Sequence, residues 1–162
     1  MNTNFNHEDF FFRFMGKEKN SFCEFPDSGA FMLFVLSGVV TVVRNSSVLT
    51  LYKGEMVLIG EGISMINPLY DCELSLVWLS PFQNYPYTFE EILLKEEKLV
   101  SIPYLLFQKL NLHKKLLVNN VLSKTNLWLF EREVLAQTMI YYMNPEMVSV
   151  SDSSFLYKKV IN

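Results

Sequence analysis

Between Leu49 and Asn67 the chain reads LTLYKGEMVLIGEGISMIN, two short apolar runs punctuated by Lys53-Gly54-Glu55 and Gly60-Glu61-Gly62. Glycine reaches backbone conformations that a side chain resists, so each run reads as a strand entering and leaving a tight corner. The same texture extends in both directions. Phe22–Phe25, Phe31–Leu36, Val39–Arg44, Val48–Tyr52, Met56–Ile59, Ser64–Asn67 and Cys72–Leu79 have strand length and are rich in β-branched or aromatic residues. Pro26-Asp27-Ser28-Gly29, Ser37-Gly38 and Asn45-Ser46-Ser47 supply further turns. Short strands at this spacing predict a sandwich or barrel. Ser37-Gly38 and Asn45-Ser46-Ser47 are short enough to join antiparallel neighbours as hairpins. Phe10-Phe11-Phe12 and Phe14 add an edge strand at the start.

After Pro81 the pattern changes to helix. Thr88 before Phe89-Glu90-Glu91 is an N-cap followed by first-turn acids, and Pro103 is suited to open a second helix. Two amphipathic helices follow, LHKKLLVNNVLSK from Leu112 and NLWLFEREVLAQTMIYYM from Asn126. In the latter, Leu127, Phe130, Val134, Ala136, Ile140 and Tyr141 fall on one side, with Glu131, Arg132 and Gln137 nearer the other. Asn144-Pro145 ends it. A serine-rich tether, Ser149–Ser154, leads into FLYKKVIN.

Composition narrows the function. The 162 residues suffice for a single core, and the formal net charge of −3 gives no positive field to attract a phosphate backbone. Two cysteines, Cys23 and Cys72, make no disulfide framework and no CxxC pair, which suits a reducing, cytoplasmic setting. No apolar run approaches the roughly 20 residues of a membrane helix, and Met1-Asn2-Thr3-Asn4 has no signal-peptide character. His7 and His113 lie far apart with no neighbouring ligand at metal spacing, so no metal is expected. Cys23 and Cys72 read as buried apolar residues, with a redox pair as the alternative. Glu90-Glu91 and Glu96-Glu97, interleaved with Lys95 and Lys98, read as a solvated helix face with i,i+4 ion pairs. No Ser-His-Asp set, phosphate loop or dinucleotide fingerprint is present, so neither an enzyme nor a cofactor is expected.

The turn-strand-turn of residues 53–62 resembles the cupin superfamily, in which the residues beyond the second turn usually include a metal-binding histidine. Here they are Ile63, Ser64, Met65 and Ile66, poor ligands for such a metal. Strands followed by helices, without metal ligands, resemble the N-terminal regulatory domain of AraC/XylS-type bacterial transcription activators. The likeness lies in Phe31–Val42 (FMLFVLSGVVTV), in Lys53–Ile59 (KGEMVLI) and in Ser151–Asn162 (SDSSFLYKKVIN). The last is similar to the linker and first turns leading into that family's DNA-binding half. The Asn- and Phe-rich style is also similar to activators of enterobacterial virulence genes.

The resemblance implies a mainly β fold with C-terminal α: a cupin-like β-barrel or jelly roll over residues 1–82, a helical dimerisation segment packed on it over 83–147, and a linker over 148–162. It implies an effector-sensing, dimerising module that controls a helix-turn-helix domain outside this chain, with DNA contacted only through that domain. A homodimer without membrane contact is expected, responding to a small molecule or a regulatory protein. Arg13, Lys17 and Arg44 are candidates to neutralise a ligand carboxylate. Leu127, Trp128, Leu135, Met139 and Tyr142 are candidates for the dimer surface, set against a helix simply buried in the core. A standalone interaction module, such as a chaperone or anti-activator, is the alternative, with a metal-dependent cupin enzyme behind it.

Overall fold

A computed structural model of the chain describes residues 11–16, 20–21, 29–44, 47–60, 63–69, 71–80, 85–119 and 123–147. It divides into two units, residues 1–99 and 100–162. The first contains β1 (Phe11–Gly16), β2 (Asn20–Ser21), β3 (Ala30–Ser37), β4 (Val39–Arg44), β5 (Ser47–Tyr52), β6 (Glu55–Ile59), β7 (Ile63–Pro68), β8 (Cys72–Leu79) and α1 (Phe89–Leu93). The second contains β9 (Val100–Ser101), α2 (Tyr104–Asn119), α3 (Lys124–Met143) and a 3₁₀ turn at Pro145–Met147. The fold class is the expected one, antiparallel sheets followed by helices.

In the first unit β1, β8, β3 and β6 lie side by side, and β2, β7, β4 and β5 form a second sheet. All these pairings are antiparallel. Alternation explains the core between the sheets. Phe31, Leu33 and Val35 of β3 stand beside Val57 and Ile59 of β6 and Cys72, Leu74 and Leu76 of β8. Val40 and Val42, Leu51 and Ile66 answer from the second sheet. The other face of the first sheet is buried as well, at Met32, Phe34, Met56, Leu58 and Val77. These strands are accordingly continuous apolar runs rather than alternating ones.

β4 pairs antiparallel with its sequence neighbour β5 up to Arg44↔Ser47, the register expected of a short hairpin. Ser37-Gly38 does not make a hairpin. β3 is flanked on both sides, by β6 and β8, so β4 has no edge of that sheet to pair with and passes into the other one. Gly38 makes the passage at φ +78°, and a Cβ there would stand 2.2 Å from the Asp71 carbonyl oxygen. β1 takes an edge position beside β8, as expected of the phenylalanine-rich start. The runs Val39–Arg44 and Cys72–Leu79 coincide with β4 and β8, whereas Phe22–Phe25 lies outside the described residues.

Thr88 caps α1 by accepting from the Glu91 N–H at 3.1 Å. That helix is short, ending at Leu93. Pro103 opens α2, its carbonyl accepting from the Phe107 N–H at 2.8 Å. Ser123 caps α3 through the Asn126 N–H at 3.2 Å. The stripe that α3 buries is Val134, Leu135, Thr138, Met139 and Tyr142, a 3-4 spacing. Ala136 and Ile140, expected on the buried side, are exposed. The physical reason is composition. α3 carries apolar residues almost all round, so the contrast between its faces is too small for periodicity to select one.

Candidate functional site

Three places in the chain gather chemistry, and the first is the end of β4. Arg44 forms ion pairs with Glu96 and Glu97, the latter at 3.1 Å. Glu96 Oε1 also accepts from the Gly60 N–H at 2.9 Å, and the Glu97 N–H donates to the Leu58 carbonyl at 2.8 Å. The turn after α1 is thereby tied to β4 and to the end of β6. Glu97 holds a left-handed backbone, φ 63°, that a non-glycine residue adopts only when neighbours fix it. Glu96 and Glu97 therefore do not share a solvated helix face. The helix stops at Leu93, and their carboxylates serve Arg44 instead.

This arrangement bears on the residues expected to hold a ligand carboxylate. Arg44 already has two carboxylates of its own chain, so an acidic ligand would compete with them. Arg13 stands in β1 opposite Ser75 of β8, in the other sheet from Arg44. The buried Ser75 hydroxyl has no hydrogen-bond partner among the described residues. Lys17 lies outside the described residues. Between the sheets the described core is aliphatic and aromatic, without a charged side chain.

The second place joins α2 to α3. His113 is fully buried, and its Nε2 lies 2.6 Å from Glu131 Oε2, whose side chain is 13% exposed. Phe130 stacks on the imidazole, with ring centroids 6.2 Å apart and an interplanar angle of 7°. Glu131 lies one turn before Val134 and Leu135 on the buried stripe, although the sequence places it nearer the polar side. Lys109 adds a pair to Glu133 at 3.1 Å nearer the surface. The signal for His113 was its place in the stripe Leu106, Leu110, His113 of α2. Its partner sits 18 residues away, beyond the reach of local pattern.

The third place is the surface of α3. Of the residues expected at a dimer surface, Leu135, Met139 and Tyr142 are buried within the chain, Leu127 is half-buried and Trp128 is exposed. Arg132 lies over the Trp128 ring, 5.2 Å from its centroid. Leu129, Ala136 and Ile140 follow one another on the face opposite the buried stripe and are exposed. Charging Leu135 and Met139 is therefore no test of a dimer surface.

Cys72 is buried in the sheet core, and Cys23 lies outside the described residues. Burial first, and then the neighbouring Asp71 charge, push the Cys72 thiol up to about 11. It stays protonated and inert at neutral pH. Iodoacetamide at pH 8 is expected to leave Cys72 unmodified in the native chain and to alkylate it fully in denaturant, as read by peptide mass spectrometry. The sign of the linkage is fixed by the raised value. The unfolded thiol loses its proton near 9 and the folded one near 11, so this group's contribution to stability is intact below about 9 and is lost as pH rises toward 11.

Among the described residues no three His, Cys, Asp or Glu side chains gather as a metal ion requires, and no helix is long and apolar enough to cross a membrane. The sequence matches no protein-family model and no curated protein. Its fold is similar to that of a solved structure, apo ToxT K231A from Vibrio cholerae strain SCE256, with a TM-score of 0.52 and 10% sequence identity. The match covers 91% of this chain and 61% of that one, so this chain spans about three fifths of the length of the protein it resembles, and what is shared is the fold.

Proposed function

We propose that this chain is the regulatory part of an AraC-type transcription regulator. The observation that carries the reading is the fold likeness to ToxT, an AraC-family virulence regulator, over nearly all of this chain. The sequence resemblance at Phe31–Val42 and Lys53–Ile59 supports it independently, and both stretches now lie on the strands and crossovers that build the sandwich. A regulator of this type is not an enzyme and works in the cytoplasm, binding DNA through a domain outside this chain.

In this reading the sandwich senses a small molecule or a regulatory protein, and the helices bring two copies together. A signal acts by binding one arrangement better than another, which shifts the population toward the DNA-competent form. The dimer face is Leu129, Ala136 and Ile140, because Leu135, Met139 and Tyr142 are already buried within one chain. The test is to fuse residues 1–162 to a DNA-binding domain that represses a reporter only as a dimer. Repression is expected, and Leu129→Lys with Ile140→Lys should reduce it at least tenfold. A fusion that accumulates, folds and fails to repress would sink the dimerising module and favour the standalone interaction protein.

A further inference from the structure

β5 is an edge of the second sheet, with β4 on one side and no strand on the other among the described residues. An antiparallel strand turns alternate backbone groups toward its neighbour and the rest away. The Tyr52 N–H points away from β4, because it donates to Glu55 Oε1 at 2.7 Å. By alternation the backbone groups of Val48 and Thr50 point outward too. Two apolar side chains of this edge are wet, Val48 at 64% exposed and Tyr52 at 58%. Edges of natural sheets are commonly guarded by a charge, a proline or a bulge. Residues 47–52, SVLTLY, have no charge and no proline, and their register with β4 runs unbroken from Arg44↔Ser47 to Val39↔Tyr52. Among the described residues Glu55 is the one guard, and it covers only the Tyr52 end.

We propose that β5 is a self-pairing edge, on which a second copy of this chain lays its own β5 antiparallel about a twofold axis through Thr50. The sequence is self-complementary in that register. Thr50 meets its own copy, Val48 meets Tyr52 and Leu49 meets Leu51. Thr–Thr pairs and pairs of a β-branched with an aromatic residue are among the favourable cross-strand neighbours. A twofold contact repeats every charge, so an ionised residue at the axis would face its like. None lies between Ser47 and Tyr52, and Lys53 falls opposite Ser47. A protein partner of different sequence would have no need of this symmetry, which is why a second copy is the occupant chosen. Glu55 must release the Tyr52 N–H, an exposed bond that the incoming carbonyl replaces.

The contact is small. A single pair of short strands falls below the roughly 1,200 Å² at the lower end of stable interfaces, so the association is weak and reversible and appears as concentration rises. It makes the interface isologous.

Sedimentation velocity over a concentration series tests it, on the unmodified chain and on a Leu129→Lys/Ile140→Lys background that removes association through α3. Thr50→Lys places two ammonium groups at the axis, and Thr50→Pro removes an outward N–H without touching the β4 ladder. On the Leu129→Lys/Ile140→Lys background each is expected to weaken self-association at least tenfold, while Thr50→Val leaves it within twofold and circular dichroism is unchanged in all. Equal association of Thr50→Lys and Thr50→Val overturns the proposal. So does a Leu129→Lys/Ile140→Lys chain that stays monomeric up to about 1 mM.

Discussion

Leu135→Asp and Met139→Asp will each collapse the helical unit instead of parting two chains. Leu135 is 5% exposed and Met139 1%, on the stripe that also buries Val134, Thr138 and Tyr142. Removing a buried Leu or Met side chain costs about 2–5 kcal/mol, and an unpaired carboxylate in the same place adds several more. Since a domain of this size is stable by only about 5–15 kcal/mol, one such change consumes most of the margin. The measurement is thermal unfolding followed by far-UV circular dichroism. The expected result is loss of helical signal at 25 °C, or a midpoint lowered by 15 °C or more at the roughly 2–4 °C per kcal/mol of a chain this long. Leu129→Lys and Ile140→Lys, on the exposed side of the same helix, should melt like the parent. If the aspartate variants fold normally and change only the mass in solution, the burial assigned to this stripe is wrong.

Gly38→Val carries the second large effect. Gly38 sits at φ +78°, where a β-branched residue is disfavoured, and its Cβ would meet the Asp71 carbonyl oxygen at 2.2 Å and the Cys72 Cα at 2.9 Å. Both obstacles are backbone, which moves only by disturbing the start of β8. A loss of about 3–5 kcal/mol is expected, the range reserved for strain combined with overpacking. Gly60→Ala is the comparison. Its Cβ would meet the end of the Glu96 side chain, at 2.7 Å from Oε1, and that carboxylate can swing aside at the expense of its bond to the Gly60 N–H. About 1 kcal/mol is expected there. Urea unfolding midpoints distinguish the two, and equal midpoints would mean that the crossover at Gly38 is not as tight as described.

The strands were legible because their evidence is local. β4 and β8 have the boundaries that apolar runs and flanking turn formers give them, and Thr88 and Pro103 announce the starts of α1 and α2 in the same way. What escaped was decided by tertiary contact. Ser37-Gly38 reads as a hairpin by length, and only the occupation of both edges of β3 forbids it. Glu96 and Glu97 read as helix surface until Arg44, 53 residues from Glu97, is placed beside them. Glu131 looks like the polar side of α3 until a buried histidine on another helix claims it. In each case a polar or turn residue took its role from a distant partner, and local pattern contains no information about distant partners.

The order of strands in the first sheet has a consequence for how the chain is born. β8 lies between β1 and β3, so the two strands synthesised early have no hydrogen-bonding contact with each other until residues 72–79 arrive to bridge them. A ribosome delivering this protein exposes FFRFMG and AFMLFVLS with unsatisfied edges for the whole time it takes to make the intervening strands. β3 can recruit β6 first, but β1 must wait for β8. β8 is the inner strand that bridges β1 to β3, so any fragment ending before Leu79 keeps two aromatic-rich strands open to pairing with other molecules.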